Sequence, residues 1–291
     1  MTRLFTLLCA VVLSLSMSAQ KQDRPKYSFN YADTVRTYGM YVPQNLAKGA
    51  PLVVYTHGYG SKTRWRPDLN AAADKYGFAV CYPDGMPDSR GKDGWKVGYP
   101  PQESMQIDEA DFFRKLLDEV CARFNLSREN VFSAGMSNGG DLCYQFAYTD
   151  PELFRAYASV AGLTFECTYL NNMLTVPVPF LEIHGNADKT SMWQGDHENA
   201  GGWGAYIPVP LAVASIAYNN RCTKLTTDTI ASKADPNRMI TRYVYSGAPS
   251  GMDVVVYEID GGAHSWANKD LDTGEIIWQF FAPYVKKESD K

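Results

Sequence analysis

The sequence predicts an α/β chain whose mostly parallel, doubly wound sheet is flanked by helices, and three observations lead to it. Short continuous apolar runs recur, as in Leu52-Val-Val-Tyr55 and Val131-Phe-Ser-Ala134. Such runs mark strands buried on both faces of a parallel sheet. Between the runs lie helical stretches; the clearest repeats Ile107, Ala110, Phe113, Leu117, Val120 and Phe124 at spacings of three and four. Finally, the 291 residues show no internal repeat or linker, which favours one large domain.

The elements follow in order. Residues 27–43 alternate loosely, as a starting pair of strands does. Residues 51–56 form the first buried strand, ending at His57-Gly58. A helix over 69–76 leads to a second buried strand over 78–82, which Pro83-Asp84-Gly85 stops. Residues 84–103, rich in Gly, Pro and Asp, read as a long loop before the helix over 107–124. A third strand over 130–134 enters a tight turn at 135–140 and a helix over 142–148. Strands over 157–161 and 179–184 precede an irregular stretch at 185–207. A helix over 211–219, a polar connection, strands over 240–246 and 253–259, and a helix over 276–285 complete the chain.

Residues 1–19 have the pattern of a signal peptide: Arg3, an apolar run from Leu4 to Leu15, and a small-residue exit through Ala19. The run is too short to span a bilayer. A secreted or periplasmic catalytic domain over 20–291 is therefore expected. A net charge of −4 without a basic stripe argues against a nucleic-acid partner. Of the six cysteines, Cys81, Cys121, Cys143, Cys167 and Cys222 lie beyond the signal. This odd set contains no C-x-x-C pair, so neither a zinc site nor a redox dithiol is indicated.

Chemistry enters at Gly135-Met-Ser-Asn-Gly139, a G-x-S-x-G sequence set between an apolar strand and a helix. Small residues on both sides let the chain bend sharply and leave Ser137 at the apex. A serine nucleophile needs a base, and in hydrolases with this turn the acid and the histidine follow the serine in the chain. Of the four histidines, His57 precedes Ser137. His184 ends a buried strand, where a structural imidazole bonded to backbone is the common case, and His197 lies in a polar loop. His264 follows Gly261-Gly-Ala263 at the end of the last strand and is the candidate base. Asp188, four residues past another strand end, is the candidate acid; Asp196 competes, while Asp228 and Asp235 sit in the polar connection without a strand behind them. The backbone N–H groups of Asn138 and of Tyr59, in His57-Gly-Tyr-Gly60, are the candidate oxyanion donors.

These pieces resemble the bacterial esterases grouped with feruloyl and acetylxylan esterases and with polyhydroxybutyrate depolymerase-like esterases. The resemblance rests on Pro51-Leu-Val-Val-Tyr-Thr-His-Gly58, Tyr82-Pro-Asp-Gly85, Val131-Phe-Ser-Ala-Gly-Met-Ser-Asn-Gly-Gly140, His184-Gly-Asn-Ala-Asp188, Asn220-Arg-Cys222 and Gly261-Gly-Ala-His-Ser-Trp266. It implies the α/β-hydrolase fold, a triad of Ser137, Asp188 and His264, and no cofactor or metal. The chain departs from the family at 189–210, which is longer and more aromatic, and at Ile107-Asp-Glu109, where paired aspartates are common.

Aromatic residues crowd the loops expected near Ser137: Tyr59, Trp95, Tyr99, Trp193, Trp203, Tyr206 and Trp266. As a set they suggest an apolar cleft or a sugar-stacking platform, with Trp95, Trp193, Trp203 and Trp266 as candidate substrate contacts. The expected activity is hydrolysis of feruloyl or acetyl esters on plant polysaccharide. The alternatives are hydrolysis of hydroxyalkanoate oligomers and, in a different class, a non-catalytic carbohydrate-binding relative.

Overall fold

A computed structural model describes residues 25–61 and 65–287. The signal pattern at 1–19 lies outside the described residues. Two antiparallel strands, β1 (Lys26–Tyr31) and β2 (Thr34–Tyr41), lead into β3 (Leu52–Thr56), α1 (Pro67–Tyr76) and β4 (Ala79–Pro83). A two-stranded ribbon, β5 (Met86–Pro87) with β6 (Asp93–Gly94), breaks the loop that follows. Then come α2 (Glu109–Phe124), β7 (Val131–Met136), α3 (Asn138–Thr149), β8 (Tyr157–Val160), α4 (Glu166–Asn171) and β9 (Phe180–Gly185). The chain ends with α5 (Val209–Asn219), β10 (Lys224–Ala231), β11 (Met239–Ser246), β12 (Val254–Ile259) and α6 (Thr273–Phe281).

The main sheet runs β1-β2-β4-β3-β7-β8-β9-β12-β11-β10. Its middle, from β4 to β12, is parallel, and an antiparallel pair closes each end. Alternation inside the apolar runs divides the core. Leu52 and Val54 point to the face covered by α2, α3 and α5, while Val53 and Tyr55 point to the face covered by α1 and α6. Both faces are thereby buried, which is why these strands read as unbroken apolar runs. Helix α2 begins where the Asp108 carboxylate accepts the Asp111 N–H at 3.0 Å and stops at Asn125 in the left-handed region.

Several elements differ from the sequence reading. Residues 224–231, expected as a polar connection, form β10, with every residue exposed. Asp228 therefore lies on a strand, paired through both carboxylate oxygens with Arg242 at 2.8 and 3.0 Å. An edge strand open on both faces has no hydrophobic period to announce it. The strand expected over 130–134 continues to Met136, and α3 starts at Asn138, so Ser137 alone makes the turn. The last helix begins three residues earlier than expected and yields to a 3₁₀ turn at Ala282–Tyr284.

Candidate active site

Ser137 sits at the carboxyl end of β7 with φ 55° and ψ −124°. That conformation is unfavourable for a residue with a Cβ and costs on the order of 1–3 kcal/mol. Close packing holds it. A Cβ on Gly135 would come within 2.1 Å of the Gly139 carbonyl oxygen, and one on Gly139 within 2.2 Å of the Thr56 carbonyl oxygen. The turn is thus pressed against β3 at a distance that only glycine permits. The Ser137 N–H donates to the Val160 carbonyl at 2.9 Å, and its own carbonyl accepts the Asp141 N–H at 2.8 Å.

The second and third candidates come from β9 and β12, which pair in parallel. Beyond their ends the loops are stitched together: Asn186 N–H donates to the Ile259 carbonyl and Ala187 N–H to the Gly262 carbonyl, both at 3.0 Å. Asp188 and His264 meet there, with His264 Nδ1 2.7 Å from Asp188 Oδ2. The other carboxylate oxygen, Oδ1, accepts the Thr190 N–H at 2.7 Å and the Ser191 N–H at 2.9 Å. The Asp188 side chain is fully buried, whereas His264 keeps about a fifth of its side-chain surface. With Oδ1 occupied by two backbone donors, Oδ2 is left as the acceptor facing Nδ1, which places the Nδ1 proton towards it and leaves Nε2 directed away from Asp188.

Arg66 ties the histidine loop to the serine turn. Its guanidinium lies 4.5 Å over the Trp266 ring, donates to Tyr55 Oη at 2.7 Å and contacts Met136 Sδ at 3.1 Å. Trp266 and Met136 are the near neighbours of His264 and Ser137 in the chain. Even so, Ser137 Oγ and His264 Nε2 form no hydrogen bond among the described residues. Catalytic contacts of this kind often tighten only when substrate is bound.

The backbone N–H groups of Tyr59 and Asn138 donate to no other group among the described residues. Gly58 brings the first loop against the serine, since a Cβ there would lie 3.3 Å from Ser137 Cβ. Trp95 clamps both loops: its backbone exchanges hydrogen bonds with the Asn138 side chain at 2.7 and 3.0 Å, and its indole N–H donates to the His57 carbonyl at 2.9 Å.

This corrects the expectation for Trp95, which is fully buried and presents no ring face to a ligand. Trp193 and Trp266 are buried too, at 7% and 4% exposure. Trp193 packs against the His184 ring at 5.7 Å, and the Trp266 indole N–H donates to Asp68 at 2.7 Å. All three fill the scaffold because core space behind the loops needs large apolar side chains. Only Trp203 of the four stays half-exposed. Its ring meets Tyr59 at 5.7 Å and Tyr99 at 5.2 Å.

The remaining candidates also have places. His57 is buried, with Nδ1 2.9 Å from the Gly58 carbonyl and Nε2 accepting the Gly85 N–H at 3.0 Å. His197 is exposed and pairs with Glu166. Asp196 forms no hydrogen bond with His264 among the described residues and accepts the Ala200 and Gly201 N–H groups at 2.9 and 2.7 Å, closing the turn that carries Trp203. Sequence reasoning missed Glu182, which is fully buried beside His184, and Asp141, which accepts the Leu163 N–H and the Tyr99 hydroxyl, each at 2.7 Å. Burial lifts the Asp141 carboxyl to about 8.

Among known proteins, residues 36–173 match the family model described as Esterase PHB depolymerase. "Putative esterase NocK" of Nocardia uniformis subsp. tsuyamanensis is 26% identical over 235 residues, 76% of this chain and 67% of that protein. Feruloyl esterase B of Neurospora crassa is 30% identical over 162 residues, which is 54% of either chain. The match thus spans about half to two thirds of these relatives. The solved acetyl xylan esterase from Aspergillus awamori superposes with a TM-score of 0.56 at 18% identity, covering 86% of this chain and 94% of that one. That likeness shows the α/β-hydrolase fold. The chain resembles bacterial esterases of the feruloyl, acetylxylan and polyhydroxybutyrate depolymerase-like group, and the comparisons support an esterase.

Proposed function

We propose that this chain is a secreted serine carboxylester hydrolase that removes feruloyl or acetyl groups from plant polysaccharide. The observation that carries the reading is the 2.7 Å contact between buried Asp188 and His264, in a molecule that also holds Ser137 at a strained strand-to-helix apex. In the reaction, His264 Nε2 takes the Ser137 hydroxyl proton as Oγ attacks the ester carbonyl. The Tyr59 and Asn138 N–H groups receive the oxyanion, and Asp188 stabilises the imidazolium. The proton then passes from Nε2 to the leaving alcohol. Water, deprotonated by the same nitrogen, releases the acid from the acyl-serine.

The substrate class rests on relatives named feruloyl and acetylxylan esterases and on the half-exposed Trp203 beside the Tyr59 loop. The family description favours one second reading, hydrolysis of hydroxyalkanoate oligomers. Rates on methyl ferulate, acetylated xylan and hydroxybutyrate oligomers separate the two. Fastest turnover of a ferulate or xylan ester is expected. Hydrolysis of the oligomers alone would replace the first reading with the second. No hydrolysis of any ester, including a chromogenic acetate, would remove both in favour of a non-catalytic relative.

A further inference from the structure

Behind Asp188 lies a second imidazole–carboxylate couple that the proposed chemistry does not use. His184, fully buried on β9, has Nδ1 2.8 Å from Glu182 Oε1 and Nε2 2.8 Å from the Ser191 carbonyl oxygen. The same Nε2 lies 3.7 Å from Asp188 Oδ2, the oxygen that contacts His264. Glu182, His184, Asp188 and His264 therefore form a line in which carboxylate and imidazole alternate.

The surroundings fix the protons. A backbone carbonyl can only accept, so Nε2 of His184 carries hydrogen. Glu182 Oε1 accepts the Gly162 N–H at 3.4 Å, while Oε2 and the neighbouring hydroxyls of Ser159 on β8 and Tyr144 on α3 have no hydrogen-bond partner among the described residues. Burial raises the Glu182 carboxyl, but a single proton lies between Oε1 and Nδ1 across 2.8 Å, and the paired charges favour it on the imidazole. Burial by itself would push the His184 imidazolium down, but the Glu182 carboxylate against Nδ1 outweighs it and holds the ring protonated above its usual range.

The other groups facing the couple are Asp141, Cys143 and Tyr144 of α3, Ser159 of β8 and the Trp193 ring; Glu258, the register partner of His184 on β12, bonds Asn186 and Tyr243. Asp141 is held largely protonated at neutral pH by burial, with a value of about 8. No Lys or Arg forms an ion pair with Asp141, Glu182 or Asp188 among the described residues. The cation next to Asp188 on its buried side is accordingly His184.

We infer that His184, held as an imidazolium by Glu182, is a positioning residue that draws charge from Asp188 and so sets the pH at which His264 becomes a free base. The inference rests on the esterase reading above. A positive ring 3.7 Å behind Asp188 competes for its charge and weakens its hold on the Nδ1 proton of His264. This keeps a secreted esterase active in mildly acidic surroundings.

The test is the pH profile of kcat/KM on a chromogenic acetate ester. His184→Gln keeps a donor for the Ser191 carbonyl and removes the charge. Its acidic limb should move up by about 0.5–1 pH unit, so that kcat/KM at pH 6 drops about three- to tenfold while the alkaline plateau holds. Glu182→Gln deprives the ring of its counter-charge and should shift the limb the same way, which keeps the test intact if the first variant folds poorly. A limb that stays in place in both variants, whether or not melting temperature falls, overturns the inference. Ser137→Ala, measured alongside, separates the two ideas: an inactive Ser137→Ala with unmoved limbs refutes this inference alone, whereas an active one refutes the esterase reading beneath it.

Discussion

The turn at Ser137 and the loop over 189–210 border the same site but are held by different means. The turn is defined by backbone contact. Gly135, Gly139 and Thr56 approach so closely that the serine has one position, and the strain at φ 55° is maintained by the strands around it. The loop is defined by side chains: Asp196 gathers two N–H groups, while Trp193 and Tyr206 fill its underside and leave Trp203 at the rim. Backbone sterics leave a short, recognisable pattern in a sequence. A loop closed by a carboxylate and aromatic packing leaves only composition.

The largest effect should come from the turn. Ser137→Ala is expected to lower ester turnover by about 10⁴-fold or more with the fold intact. Retention of a tenth of wild-type turnover on a chromogenic ester would detach the turn from the chemistry.

Asp188, just before the loop, and Asp196, within it, give the next contrast. Asp188→Asn should keep the fold and lower kcat by about 10³- to 10⁴-fold, because an amide favours the wrong imidazole tautomer. Asp196→Asn loses one charged acceptor of a backbone N–H, so about 1–2 kcal/mol of stability should go while kcat stays within a few-fold. A swap of these outcomes, read from kcat and urea denaturation on each variant, would assign the acid to Asp196.

Asp141 joins the two regions, since it lies in the first turn of α3 and holds the hydroxyl of Tyr99, which packs on Trp203. Its folded value of about 8 is raised from 3.8, chiefly by burial. Protonated Asp141 suits its site, so its contribution is fully present below about 4 and is lost as pH rises towards 8. Asp141→Asn removes that loss. The melting temperature of the variant relative to wild type should therefore increase from pH 5 to pH 8. A difference independent of pH would mean that this carboxyl does not titrate in that window.

The smallest effect belongs to the rim. Trp203→Ala should raise KM for a feruloyl or xylan ester by about two- to tenfold, corresponding to a stacking energy of ~0.5–1.5 kcal/mol, with little change for a small acetate ester. Equal losses on both substrates with a lower melting temperature would give Trp203 a packing role only.

The same distinction explains what was legible. The buried strands Leu52–Thr56 and Val131–Met136 and helix α2 follow from apolar period alone, because their neighbours cover both faces or one clear stripe. Strand β10 was hidden because none of its residues is buried. Ser137, Asp188 and His264 were readable as small-residue loops placed after strands, and the structure brings the latter two into contact. Trp95 was misread because composition places an aromatic near a site without saying which way its ring faces. Glu182 was invisible for a related reason: the buried side chains beside it on β8 and α3 are remote in sequence, and only the fold brings them together.

The central claim is that Ser137 is a nucleophile activated by His264 and Asp188. Its most direct measurement is labelling with a fluorophosphonate, followed by peptide mass mapping. One stoichiometric adduct on Ser137 is expected, forming far more slowly in Asp188→Asn and not at all in Ser137→Ala. An adduct on another residue, or equal labelling of Ser137→Ala, would contradict the account.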